Sequence, residues 1–311
     1  MPQTAGLQVG ARSLSRGVWK ELDRVHLTLQ AGKVSAVFER AFHLDFCSDE
    51  PVAVVLPELG DGPLNIVLEE RPGAMPAPGV PVQVCSGAGR LVMGRLEITL
   101  ERAAIWEPRP EWERIRSQAT AIQDRLPCLA ALVHSLAPPD SLASILAPEA
   151  DGRWRSRPAP PPGAGQGWAD CVDFTVAEVL GQLSLGWAAG EPNLRVAASQ
   201  LAGLGRGLTP AGDDLLLGIM IWAWLAEPLP ERICSPLLAG SQQRTTTWSA
   251  ALLRAAARGE CSQAWHHLLK TLQGHTGDEI ASAVCAVLEV GHTSGADALA
   301  GFIWMGLHAG Q

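Results

Sequence analysis

The first third of the chain alternates apolar and polar residues in short runs, the period of a strand with one buried face. Such runs are Val25-His26-Leu27-Thr28-Leu29, Val34 to Phe38, Val52 to Leu56, Asn65 to Leu68, Val82 to Cys85 and Leu96 to Leu100. Turn formers such as Gly60-Asp61-Gly62-Pro63 separate them. From about Glu111 the period becomes helical. Glu111 to Leu136 reads as helix with a break before Pro127, followed by Phe174 to Ala189, Leu194 to Leu201, Pro210 to Ala226, Gln243 to Arg258, Cys261 to Leu272, Asp278 to Glu289 and Ser294 to His308. The pattern predicts an α+β protein: an N-terminal antiparallel β barrel or sandwich over residues 1–106, then an α-helical bundle domain over 107–311. Alanine and glycine dominate the helical stretches, which favours close helix packing. A stretch rich in Pro, Gly and Arg (residues 152–167) reads as a linker or surface loop.

Two loop-to-helix corners stand out in the helical half. The first is Gly203-Leu-Gly-Arg-Gly-Leu-Thr-Pro-Ala-Gly-Asp-Asp214, followed at once by an apolar helix. Thr209 suits an N-cap, Pro210 the first helical position, and Asp213 and Asp214 the first turn. Three glycines at alternate positions before the cap, Gly203, Gly205 and Gly207, have bare N–H groups that favour an anion with the helix N-terminus behind them, and Gly205, Gly207 and Gly212 are the candidate anion-binding glycines. The second corner, Gly291-His-Thr-Ser-Gly-Ala-Asp297, repeats the logic: Gly two residues before Thr, Asp four after it, Leu two beyond that Asp. If the corners meet, Thr209, Thr293, Ser294 and three carboxylates share one pocket. Either corner alone is the ordinary signature of a capped helix; the surplus of glycine and the duplication favour ligand binding.

A third segment, Ser241-Gln-Gln-Arg-Thr-Thr-Thr-Trp248, offers Arg244, Thr245 and Thr246 as an anion clamp, against the commoner meaning of a solvated helix start. Its Arg-Thr order has a faint likeness to the Ser-x-Arg-Thr loop of classical carbamoyltransferases, but Gln242 stands where the serine belongs. Nucleotide loops fail: no lysine supplies a Walker A motif, and Gly205-x-Gly207 lacks the third glycine of a dinucleotide fingerprint. Thr276 and Glu279 form a capping box and read as structural. His266 and His267 have no carboxylate or cysteine at metal spacing, and Cys171 lies between Asp170 and Asp173, which suppresses its nucleophilicity. His26 and His43 lie in strand-like runs and read as packing residues.

Composition narrows the partners. A net charge of −8 repels nucleic acid and anionic membrane surfaces, so neither is expected as a partner, although a local basic pocket for a small anion is compatible with it. Seven scattered cysteines without C-x-x-C spacing, and a start with no apolar leader run, read as a cytoplasmic protein with reduced thiols. The longest apolar run, Leu215 to Ala226, is about a dozen residues where a membrane span needs roughly 20, so it reads as a buried helix.

Taken together, Gly205-x-Gly207-Leu-Thr-Pro-x-Gly-Asp-Asp214, Arg244-Thr-Thr with Ser249, and Gly291-His-Thr-Ser-Gly-x-Asp297 resemble the bacterial domain-of-unknown-function family 2877. That family includes a subunit of oxamate carbamoyltransferase from anaerobic allantoin breakdown. Phe38-Glu-Arg-Ala-Phe-His-Leu44 and Gly62-Pro63 are similar to it as well. The resemblance implies reversible carbamoyl transfer between oxamate and carbamoyl phosphate, giving oxalurate and phosphate, in a complex with companion subunits. On that reading Asp213 or His292 takes the proton of the attacking amide, while Asp213, Asp214 and Asp297 alternatively hold Mg²⁺; no other cofactor is implied. The competing expectation is a non-catalytic subunit that binds a metabolite or partner, its loops serving only as caps. An unrelated kinase or hydrolase lacks the required motifs.

Overall fold

The computed structural model describes residues 7–28, 31–85, 89–147, 168–274 and 276–309. The Pro/Gly-rich stretch 152–167 and the side chain of Cys171 lie outside the described residues. The chain divides into two units, residues 1–108 with 261–263, and residues 109–260 with 264–311.

The first unit is a closed eight-stranded barrel. Its strands are β1 (Leu7–Ser15), β2 (Gly32–Val37), β3 (Ala41–Asp45), β4 (Val52–Val55), β5 (Asn65–Leu68), β6 (Pro81–Cys85), β7 (Arg90–Met93) and β8 (Leu96–Thr99). They run in the order β5-β4-β3-β2-β6-β7-β8-β1, and the β1–β5 pairing closes the ring. A short strand, β9 (Ala104–Trp106), joins β1 beyond β8. Most pairings are antiparallel, but β4–β5, β1–β8 and β1–β9 are parallel. Closure removes the exposed edges of the sheet and gathers Val9, Phe42, Leu44, Val54, Ile66, Leu91 and Ile98 into one apolar core.

One stretch read as strand is a helix. Val25 to Thr28 belongs to the end of α1 (Arg16–Leu27) and its C-cap. Ser15 caps it, its hydroxyl accepting from Val18 N at 3.1 Å. Val18, Leu22 and Val25, at spacings of four and three, join the barrel core. The His-Leu-Thr-Leu alternation is the last turn of this amphipathic helix, so His26 is helical; His43 is a buried residue of β3. The strands β1, β3, β7 and β9 fall outside the alternating runs named above.

In the second unit, Glu111 to Leu136 becomes three short helices, α2 (Trp112–Arg116), α3 (Ala119–Gln123) and α4 (Leu126–Leu136), with Pro127 in the first turn of the last. A 3-10 turn covers Leu142–Leu146. Then follow α5 (Trp168–Ala189), α6 (Asn193–Leu201), α7 (Ala211–Ala226), α8 (Glu231–Ser241), α9 (Thr247–Ala257), α10 (Gln263–Thr271), α11 (Gly277–Leu288) and α12 (Ser294–His308). Helix α8 went unread because Pro236 interrupts its pattern. Thr276 and Glu279 do form the expected capping box. Among the described residues, no helix is long and apolar enough to cross a membrane.

The centre of this unit is the pair α7 and α12, both buried almost throughout. They touch backbone to backbone. A Cβ on Gly218 would lie 1.8 Å from the carbonyl oxygen of Ala298, and one on Gly301 would lie 2.1 Å from that of Leu215. Gly218 meets residues 298–302, and Trp222, one turn on, packs edge-on against Phe302 at 5.4 Å, so the helices run parallel. Tryptophan supplies the bulk that alanine and glycine do not: Trp112, Trp222, Trp224, Trp265 and Trp304 are all buried in this unit.

Candidate functional site

Because α7 and α12 are parallel, their N-termini adjoin. Thr209, before α7, and Ser294, the first residue of α12, hydrogen-bond hydroxyl to hydroxyl at 2.8 Å. The two corners, 85 residues apart, meet. Side-by-side parallel helices bring two positive dipole ends together, and Asp213, Asp214 and Asp297 stand in their first turns.

The expected cap of α7 is not Thr209. Pro210 occupies the N-cap position and no side chain caps the helix, which leaves the Thr209 hydroxyl for the other corner. Gly212 is likewise not an open donor. Its N–H goes to Leu204 O at 2.9 Å, and a Cβ there would sit 2.1 Å from Leu201 O, so this glycine lets α6 and α7 pack.

Asp213 is the knot of the site. Its Oδ1 accepts from Gly203 N at 3.0 Å, while its Oδ2 accepts from Ser249 Oγ at 2.9 Å and from the Thr245 hydroxyl. Burial raises its carboxyl above the usual range, and the bonds from Thr245, Gly203 and Ser249 pull it back down. With both oxygens engaged, it fastens the glycine-rich loop and the segment before α9 to the start of α7. Thr246 does similar work: it caps α9, accepting from Ser249 N at 3.0 Å, and donates to Leu208 O at 2.6 Å. The hydroxyls of Thr245 and Thr246, expected to clamp an anion, are thus committed to the protein itself. Arg244 differs: it is exposed, and its guanidinium forms no hydrogen bond or ion pair among the described residues.

The loop 203–209 keeps its backbone donors open beyond Leu204, since Gly203 N–H goes to Asp213 Oδ1 and Leu204 N–H to Leu201 O at 2.9 Å. The backbone N–H groups of residues 205 to 209 bond to no described residue. Gly205, at φ +118°, lets the loop fold down on the start of α7; a Cβ there would lie 2.7 Å from Ala211 N. Gly207, at φ +101°, faces open space. Between them Arg206 is exposed, and its guanidinium has no partner among the described residues. Sequence reasoning missed it, although its place between two glycines was visible.

Asp214 and Asp297 are both buried, and each leaves its Oδ2 without a partner. Burial pushes Asp214 well above the carboxylate range; the Ser294 and Thr209 hydroxyls oppose this and the nearby Asp297 adds to it. Asp297 is pushed up to about 6 by burial, against the Leu142 N–H and the Thr293 hydroxyl, which lower it. The sequence offers Asp213, Asp214 and Asp297 as a possible Mg²⁺ site. Among the described residues no group of three or more His, Cys, Asp or Glu is placed to hold a metal ion.

His292 stands exposed on the turn before α12, its Nε2 3.1 Å from Asp140 Oδ2. Asp140, 152 residues distant in the chain, carried no sequence signal. Among the described residues the site therefore offers open amides, two unpartnered guanidiniums and one histidine around a frame built by Asp213, Thr246, Thr209 and Ser294.

Residues 201–306 match the family model of the oxamate carbamoyltransferase subunit AllH, a span that takes in both corners and the Arg244 segment. No solved structure matches the chain.

Proposed function

We propose that the chain is a subunit of an oxamate carbamoyltransferase, contributing the place where small anionic substrates bind, and that it acts with companion subunits. The observation that carries the reading is the Thr209–Ser294 bond, which joins two glycine-threonine-aspartate corners into one locus inside the matched span. Both substrates on either side of the reaction are small anions, and the donors left open here suit them. The amides of residues 205–209 present an N–H nest, and Arg206 and Arg244 supply charge-assisted donors.

On this reading catalysis is mostly positioning and charge stabilisation. The oxamate amide nitrogen attacks the carbamoyl carbon, and phosphate departs with the C–O bonding pair. His292 takes the proton of the attacking nitrogen. On this reading Asp213, the other candidate base, serves instead to hold the loops in register through the hydrogen bonds that both its oxygens accept. A second reading, in which the corners dock a companion subunit and no metabolite, draws on the exposed Leu208 and Val290 beside them.

Thermal shift separates the two. Phosphate, carbamoyl phosphate or oxamate should raise the Tm with ligand concentration, as RT ln(1 + [L]/Kd) requires. Thr209→Val and Ser294→Ala should weaken that response. A flat response to all three ligands removes the substrate-site reading and leaves the docking one.

A further inference from the structure

His292 and Asp140 are both exposed, and an exposed ion pair ordinarily contributes little. What distinguishes this pair is how its two backbones are held. The turn Pro138-Pro139-Asp140-Ser141 is closed by Ser141, whose N–H and hydroxyl both donate to Pro138 O, at 3.1 and 2.6 Å. Ser141 Oγ also accepts from Ala143 N at 3.4 Å, at the start of the 3-10 turn. The next residue, Leu142, donates its N–H to the buried Asp297 Oδ1 at 2.6 Å. Asp297 N in turn bonds Thr293 O at 2.9 Å, and Thr293 follows His292. Asp140, Leu142, Asp297, Thr293 and His292 thus form a closed ring of contacts whose last link is carboxylate to imidazole. The link is fixed from inside the fold.

We propose that Asp140 is a positioning residue for His292. It accepts the Nε2–H of the ring, fixing that tautomer, and leaves Nδ1 as the free proton acceptor. The inference rests on the proton-acceptor reading of His292 given above. In that step the substrate's amide nitrogen forms the new C–N bond and its proton moves to Nδ1. The imidazolium keeps its Nε2–H on Asp140, and the Nδ1 proton then passes to the departing phosphate or to water.

Nitrogen-15 shifts of the His292 ring in the full chain, assigned by their loss in His292→Gln, read the tautomer directly. The wild type should carry its proton on Nε2, and Asp140→Ala should give mixed tautomers. In the assembled enzyme, Asp140→Ala should lower kcat on the order of 10- to 100-fold with KM nearly unchanged. If Asp140→Ala does not fold, Asp140→Leu is the variant to read, since it is close to aspartate in shape and offers the Nε2–H no acceptor. Ring shifts identical to wild type in a folded Asp140 variant overturn the proposal. Shifts that move while His292→Gln keeps full kcat support the positioning geometry and overturn the proton-acceptor reading.

Discussion

Asp297→Asn tests the electrostatics of the helix junction. The wild-type carboxyl is buried and raised from 3.8 to about 6, with its Oδ1 accepting from Leu142 N and its Oδ2 unpartnered. A carboxyl raised in the folded state binds its proton more tightly there than when unfolded. Its contribution is therefore fully present below about pH 3.8 and is lost as the pH rises through about 6. Two pH units at about 1.4 kcal/mol each amount to roughly 3 kcal/mol of pH-dependent stability. Asparagine keeps the acceptor for Leu142 and cannot ionise. Relative to wild type, the variant should gain roughly 3 kcal/mol between pH 4 and pH 8, on the order of 6–12 °C in Tm for a unit of this size. The assay is a pair of melting curves at pH 4, 5, 6, 7 and 8, with the wild-type minus variant difference plotted against pH. A difference that stays constant across the series would refute the raised carboxyl and the desolvation argument behind it.

Three further outcomes follow from the same geometry. Asp213→Ala leaves the Gly203 N–H and the Thr245 and Ser249 hydroxyls without their acceptor; chemical denaturation should show a loss of roughly 2–4 kcal/mol, with Asp213→Asn milder. Gly218→Ala places a methyl against the Ala298 carbonyl and must separate α7 from α12; the loss should exceed about 3 kcal/mol, read as a large fall in Tm or in soluble yield. Arg206→Ala and Arg244→Ala remove exposed guanidiniums that have no partner among the described residues; each should leave the ligand-free Tm within about 1 °C and reduce the shift produced by phosphate or oxamate.

The alternating and helical periods were enough to divide the chain into a β-rich and a helical part, because burial of one face is written locally. Most helix bounds in the second unit were legible within a few residues for the same reason, α12 among them at Ser294–His308. Where two local signals competed, the reading failed. Val25 to Thr28 alternates like a strand, yet the 12-residue amphipathic face of α1 decided its conformation. At α8, Pro236 masked a helix that its neighbours stabilise by packing.

For the site, the chain by itself determined the chemistry on offer: glycines that free backbone donors, acids suited to helix starts, threonines and serines beside them, arginines within the loops. It also carried the likeness between the two corners. Only the tertiary structure decided which of those groups remain available. Parallel packing of α7 on α12 through Gly218 and Gly301 brought Thr209 to Ser294. Contacts of α7 with the glycine-rich loop, α6 and the start of α9 engaged Asp213, Thr245, Thr246 and Gly212 in the framework, while among the described residues Arg206 and Arg244 stayed open. The tertiary fold also set Asp140 against His292 from 152 residues away. The physical reason is that a hydrogen bond is defined by distances of about 3 Å, and separation along the chain fixes such distances only within one turn or one hairpin.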